Sequence, residues 1–340
     1  MADVQSQFNE FHKAIRLRND DEKAKLQDKR NLLLNDLKDG IARREDDKQD
    51  LSFESFNQGS YAMHTGIKPV NDDFDIDVGI IFDNYEDDFE DPVELKKVVN
   101  DALASNFRQT KIRRPCVTVT YIKDGEPSYH VDMAIYVKQQ NSEIYRLAMG
   151  KRNSSPEHMY WADSDPKGLT DKINNQFDGD DRKQFKRAIR FLKRWRDHKF
   201  SNANEAPISI ALTCAAYYWF APVKVAGTDN DLRAMRDLIG KIVGQFSFFT
   251  GRIKVGLPVT PENDLLEGMT DLQMEGFKEK LEALHTALDE ALTESCVRTA
   301  CKTLRRCFGP EFPVPSDEDA KNSGYVQGSC PPAVVSGNSA

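Results

Sequence analysis

The chain has 340 residues, enough for one large domain or two lobes. Its 39% hydrophobic and 30% charged residues suit a globular protein with an ample core. The formal net charge of −8 argues against a stable nucleic-acid partner, because phosphate backbones are held by clustered Lys and Arg; a single nucleotide bound through a metal ion is not excluded.

No apolar run reaches the roughly 18–20 residues of a membrane span. The polar start Met1-Ala2-Asp3 lacks an apolar signal core. The expected location is cytoplasmic, with no membrane partner. Cys116, Cys214, Cys296, Cys301, Cys307 and Cys330 contain no CxxC pair and read as free buried thiols rather than a zinc site.

Residues 1–50 are helical and highly charged, with Leu26, Leu33, Leu37 and Ile41 recurring at helical spacing. Leu51 to Phe56 alternates apolar and polar residues, as a strand does, and a short helix is expected at Tyr61–His64. Phe74 to Phe82 reads as a strand, Pro92 to Phe107 as a helix, and Cys116–Ile122 and Tyr129–Val137 as two more strands joined by a turn. Residues 139–179 read as a polar connector. Helices are expected at about 180–199, 207–220, 229–249, 271–292 and 294–307. The last 25 residues or so, rich in Ser, Gly, Asn and Asp, read as a flexible tail.

The chemistry is concentrated in two strands. Asp75 and Asp77, two apart, project from one face of their strand while Ile76 points to the other. Asp132 interrupts an otherwise apolar strand. Carboxylates gathered on neighbouring strands repel one another and are costly to desolvate, a conflict that divalent cations remove. Two ions so held can clamp both ends of an in-line phosphoryl displacement, and Mg²⁺, with Mn²⁺ as the alternative, suits oxygen ligands. Upstream, Gln58-Gly59-Ser60 follows a strand. A glycine lets backbone N–H groups approach phosphate, and a serine hydroxyl adds a donor. Alone, each feature is weak. Together they form a specific pattern: strand, Gly-Ser, short helix, 14 intervening residues, Asp-apolar-Asp in a strand, then a later strand with one Asp.

That pattern resembles the DNA polymerase β-type nucleotidyltransferase superfamily. Trp161-Ala162-Asp163-Ser164-Asp165-Pro166-Lys167, Arg190 to Asp197 and Pro207-Ile208-Ser209-Ile210 narrow the resemblance to the bacterial cGAS/DncV-like nucleotidyltransferases. It runs from about residue 51 to 215, and more loosely through Phe308–Pro313.

The resemblance implies an α+β fold. Its polymerase β-like core, a mixed sheet with flanking helices, would span 51–165. A helical lobe would span 166–315, with the active site in the cleft between. An N-terminal helical segment, 1–50, would pack on both lobes, and a flexible tail would span 316–340.

Carried onto this chain, the resemblance gives Gln58, Gly59 and Ser60 the donor triphosphate. Asp75, Asp77 and Asp132 become catalytic carboxylates holding two Mg²⁺ ions. Lys193 would reach the triphosphate, and Ser209 would hydrogen-bond the nucleotide. It also implies a cyclic di- or trinucleotide second-messenger synthase. Such an enzyme joins NTPs, ATP and a second one, with release of pyrophosphate in anti-phage signalling. The alternatives are a linear oligonucleotide synthase, a transferase that modifies RNA or protein, and a non-catalytic sensor on the same fold; the last would be expected to have lost a carboxylate.

On composition alone, basic residues on a helix such as 180–199 form a solvated face; the resemblance reverses this for Lys193 but not for Arg187, Arg190 or Arg194. Trp161 and Trp195 read as core residues rather than base-stacking ones. The small polar end Val335–Ala340 is either an ordinary tail or a substrate for a ubiquitin-transfer-like partner enzyme. No motif marks base identity, linkage or ring size.

Overall fold

The computed structural model describes residues 2–17, 22–44, 50–70, 74–105, 107–123, 126–142 and 144–316, and within these all side chains except those of 22–26, 74, 75, 123 and 126–128. The expected contacts of Leu26 and the expected tail beyond Ser316, with its end at Val335–Ala340, lie outside the described residues. The chain forms two compact units. One comprises Arg16–Gln176 with Gly256–Asn263; the other comprises Met1–Ile15, Phe177–Val255 and Asp264–Ala340.

Helix α1 (Gln5–Ile15) belongs to the second unit and buries Phe8, Phe11 and Ile15, spaced three and four apart on one face. Helix α2 (Glu22–Ala42) belongs to the first unit and buries Leu33 and Leu37 there. Then follow β1 (Phe53–Asn57), the one-turn α3 (Gly59–Ala62), β2 (Phe74–Tyr85), α4 (Pro92–Leu103), β3 (Arg108–Ile112), β4 (Val117–Lys123), β5 (Glu126–Lys138), β6 (Tyr145–Met149), β7 (Tyr160–Ser164) and α5 (Pro166–Asn175). Helix α4 starts sharply because Pro92 occupies its first turn and the Asp91 carboxylate accepts from the Val93 and Glu94 N–H groups at 2.7 and 3.0 Å.

The seven strands form one mixed sheet. β1, β2, β5, β4 and β3 lie in that order, and β6 pairs with both β5 and β7. β2 and β5 are parallel; the other pairs are antiparallel. Alternation divides the residues of the two central strands between faces. Ile76, Val78, Ile80 and Phe82 join Val131, Met133, Ile135 and Val137 in the main core, together with Leu95, Val99 and Leu103 of α4. The opposite face carries Asp77, Gly79 and Ile81 beside Asp132, Ala134 and Tyr136. There Ile81, Ala134 and Tyr136 make a smaller apolar cluster with Phe56, Tyr145 and Leu147.

Two stretches correct the sequence expectations. The segment 139–179 is no mere connector, since it holds β6, β7 and α5. β6 takes over the edge of β5 where β4 has ended, pairing Tyr136 with Leu147. Its polarity is satisfied by ion pairs of Arg146 with Glu86 and Asp163. The helix expected to run to Phe107 ends at Leu103, and β3 (Arg-Gln-Thr-Lys-Ile) follows at the sheet edge, where charged residues blunt an exposed strand.

Lys96 on α4 is fully buried, and its ammonium donates to the backbone carbonyls of Arg113 (2.6 Å), Arg114 (2.9 Å) and Gly150 (2.8 Å). Burial pulls its pKa from 10.5 to about 8. Replacing Lys96 with Met is expected to lower stability by about 3 kcal/mol, roughly 1 kcal/mol per abandoned carbonyl, in a urea titration. The native state gives up this proton near pH 8, whereas the unfolded chain holds it to 10.5. The unfolded state therefore binds more protons in that window, and this group's contribution to stability rises with pH across it. Comparing unfolding at about pH 7.5 and about pH 9.5 should show that rise in the parent and not in Lys96→Met.

The second unit continues with α6 (Gly179–Lys199), α7 (Ser209–Trp219), α8 (Asp231–Val243), α9 (Asp271–Thr293) and α10 (Val297–Phe308). Phe8 and Phe11 of α1 meet Phe191, Phe308 and Phe312 in its core. Trp195 is buried against Phe200 and Phe277, and Trp161 packs on Phe89 in the first unit, so both tryptophans are packing residues.

The basic side of α6 is not the solvated face expected. Arg187 pairs with Asp229 and Asp231 at 2.8 and 2.7 Å, Arg190 is buried beside His12 of α1, and Arg194 is buried near Glu311. α6 runs through the middle of its unit, so acids and α1 cover the charges that solvent would otherwise take. Cys116, Cys214, Cys301 and Cys307 are free and buried, as expected, whereas Cys296 is disulfide-bonded. Among the described residues no helix is long and apolar enough to cross a membrane.

Candidate active site

The site is assembled at the end of β1. Beyond the last pair, Asn57 with Val78, the Gln58 N–H still donates to the Asp77 carbonyl at 3.2 Å, so the chain turns directly alongside Asp77. The Gln58 side-chain Oε1 accepts from the Tyr136 hydroxyl at 3.0 Å. Burial raises the Tyr136 pKa, which keeps the phenol neutral and able to donate.

Gly59 has φ +63°, and a Cβ built on it would stand 1.8 Å from Oδ2 of Asp77. The carboxylate fills the space that a side chain would need. Turn and carboxylate are therefore one packed unit, and the glycine is required twice, by conformation and by contact. Ser60 is the second residue of α3, and its carbonyl accepts from the Thr65 N–H at 2.9 Å. The helix was expected at Tyr61–His64; it instead begins at Gly59, which places Gly59 and Ser60 in its first turn. No side chain caps α3, and the leading N–H groups of a helix have no intrahelical acceptor.

Asp77 and Asp132 stand opposite each other on the parallel strands β2 and β5, partly buried on the same face. The backbone of Asp75 pairs with His130, and its side chain lies outside the described ones. Oδ1 of Asp132 accepts from the Thr118 hydroxyl of β4, and Thr118 Oγ1 in turn accepts from Arg113 Nε–H at 2.8 Å. Thr118, Asp132 and Asp77 thus form one row across three strands. In the next row Thr120 Oγ1 is 2.9 Å from His130 Nδ1.

Two half-buried carboxylates side by side repel, and an all-oxygen donor pair is what a hard divalent cation takes. The residues fit such an ion. Among the described residues no group of three or more His, Cys, Asp and Glu side chains converges on a metal position, so the described part of the site supplies a pair of carboxylates. Lys193, 5% exposed on α6, and Ser209, in the first turn of α7, both belong to the helical unit.

Residues 53–136 match the family model described as the nucleotidyltransferase domain of cyclic GMP-AMP synthase DncV-like proteins. This part of the chain is similar to the DncV-like nucleotidyltransferase domain. The matched span contains Gln58, Gly59, Ser60, Asp75, Asp77 and Asp132; Lys193 and Ser209 fall outside it.

A curated cyclic GMP-AMP synthase of Escherichia albertii is 34% identical over 152 residues, which are 43% of this chain and 32% of that protein. The match thus spans about a third of the length of that relative. Vibrio cholerae DncV, a cyclic AMP-GMP synthase and prokaryotic cGAS homologue, superposes with a TM-score of 0.72 at 18% identity over 92% of this chain and 97% of that one. Its complex with the linear intermediate 5′ pppA(3′,5′)pG superposes with a TM-score of 0.70 at 18% identity, over 90% and 96%. The fold is therefore the expected polymerase β-like mixed sheet with flanking helices and a helical C-terminal region.

Thr118, Tyr136, Arg113 and Lys96 are not among the site residues that the sequence marks. The alternation of Cys116–Ile122 carries a signal for Thr118, since it alternates with the apolar core residues Val117 and Val119. The turn residue Arg113 and the buried Lys96 carry no such signal.

Proposed function

We propose that the chain joins nucleoside triphosphates into a cyclic di- or trinucleotide second messenger with release of pyrophosphate. The observation that carries this reading is the close fit of Gly59 against Asp77 with Asp132 beside it, inside a DncV-like nucleotidyltransferase domain. The relative solved with a linear dinucleotide triphosphate intermediate supports a two-step synthesis, coupling and then ring closure. The complex of that relative with ATP and GTP supports ATP and a second NTP as substrates; anti-phage signalling is proposed as the setting.

In this reading the Gly59-Ser60 turn binds the donor triphosphate through its N–H groups and the Ser60 hydroxyl, with Gln58 held at its edge by Tyr136. A ribose hydroxyl of the second nucleotide attacks the donor α-phosphorus. The new O–P bond forms as the bond to the β-phosphate oxygen breaks, and pyrophosphate leaves with that electron pair. Asp132 accepts the hydroxyl proton. Divalent cations, Mg²⁺ or Mn²⁺, held by Asp77 and Asp132 with Asp75 as the third ligand, would neutralise charge on the attacking and leaving oxygens. Lys193 is assigned to the triphosphate and Ser209 to the nucleotide. The work of the protein is positioning and charge stabilisation.

Incubation with all four α-labelled NTPs tests this function. The expected outcome is small labelled products that resist phosphatase. Linear, phosphatase-sensitive products, or label on a macromolecule, would contradict it.

A further inference from the structure

Asp132 is held from the side away from Asp77. Its Oδ1 takes the Thr118 hydroxyl proton, and that hydroxyl is free to give its one proton because Oγ1 accepts from Arg113 Nε–H. The chain of bonds runs one way, from guanidinium to hydroxyl to carboxylate, and each link polarises the next. Arg113 makes no ion pair among the described residues, whereas Arg146, Arg187 and Arg236 all have carboxylate partners. The turn that carries Arg113 is also fixed: its N–H donates to the Cys116 carbonyl at 2.9 Å, and Lys96 grips the carbonyls of Arg113 and Arg114 from below. A guanidinium in an acidic chain, aimed at a neutral hydroxyl from a pinned turn, indicates a carboxylate support.

We propose that Thr118 and Arg113 are positioning residues for Asp132: they fix its carboxylate plane by occupying Oδ1, leaving Oδ2 and the second lone pair of Oδ1 for a divalent cation. This rests on the reading of Asp132 as a cation ligand. Partners that orient a ligand typically set affinity as well as activity, so the effect is visible in the purified protein without turnover.

The test is direct Mn²⁺ binding, read from the free-ion signal in electron paramagnetic resonance, beside pyrophosphate release. Thr118→Val, which keeps the shape and loses the donor, is expected to weaken Mn²⁺ binding about 10-fold or more, while Thr118→Ser restores it to within about 2-fold. Arg113→Met, at an exposed turn, should lose affinity in the same direction and to a smaller degree; it keeps the test open if Thr118→Val folds poorly. Parent-like Mn²⁺ affinity in both Thr118→Val and Arg113→Met overturns the proposal. Asp132→Asn separates the two ideas. If it weakens Mn²⁺ binding while Thr118→Val and Arg113→Met do not, only the support role falls. If it too binds as the parent does, the ligand reading falls with it.

Discussion

Replacing Asp77 with Asn is expected to lower pyrophosphate release by about 10³-fold, with no loss of thermal stability. Loss of one cation-holding carboxylate removes about 4 kcal/mol of transition-state stabilisation, and each 1.36 kcal/mol is tenfold in rate. The fold should not suffer, because Asn has the same shape and relieves repulsion from Asp132 on the adjacent strand. Steady-state pyrophosphate release and a melting curve on the same preparation check both halves. A variant that melts lower and is also inactive would point to a structural role instead.

Gly59→Ala is expected to reduce turnover by about 100-fold and to lower stability by about 1–2 kcal/mol, since a non-glycine residue at this left-handed φ is strained by that amount and the rate loss reflects a displaced carboxylate. The new methyl group would sit at 1.8 Å from Asp77 Oδ2, so either the turn or the carboxylate must move. The double variant Gly59→Ala with Asp77→Asn makes the argument specific. If the alanine acts by displacing Asp77, adding it to Asp77→Asn costs little further activity, far less than the product of the two single effects. Multiplying effects would mean that Gly59 acts through the phosphate alone.

Much of this site is legible in the sequence because its chemistry violates local expectations. Asp77 is flanked by Ile76 and Val78 and Asp132 by Val131 and Met133, and two-residue periodicity places Asp75 and Asp77 on one face without any structure. Gly59-Ser60 is legible only by its place between a strand and those acids. The contact between Gly59 and Asp77 is not legible, because it depends on β1 and β2 pairing in a register that carries Gln58 past Val78.

The supports of Asp132 are hidden for a similar reason. Thr118 stands at 118, beside Asp132, only once β4 has paired antiparallel with β5. Arg187, Arg190 and Arg194 read as solvent-facing charge because a sequence does not show Asp229, Asp231 or α1 closing over α6. The strands within 139–179 are not legible because β6 is short and owes its place to pairing with β5, with Arg146 neutralised by Glu86 and Asp163. Polar segments are strands when partners satisfy them, and partners are a tertiary fact.

The most direct measurement is a crystal structure of the protein with Mg²⁺ and a nucleoside triphosphate bearing a non-hydrolysable α–β bridge. Phosphate oxygens are expected against the Gly59 and Ser60 N–H groups, with an ion bound by both Asp77 and Asp132. A nucleotide bound elsewhere, or one at this turn with neither carboxylate touching a cation, would contradict it.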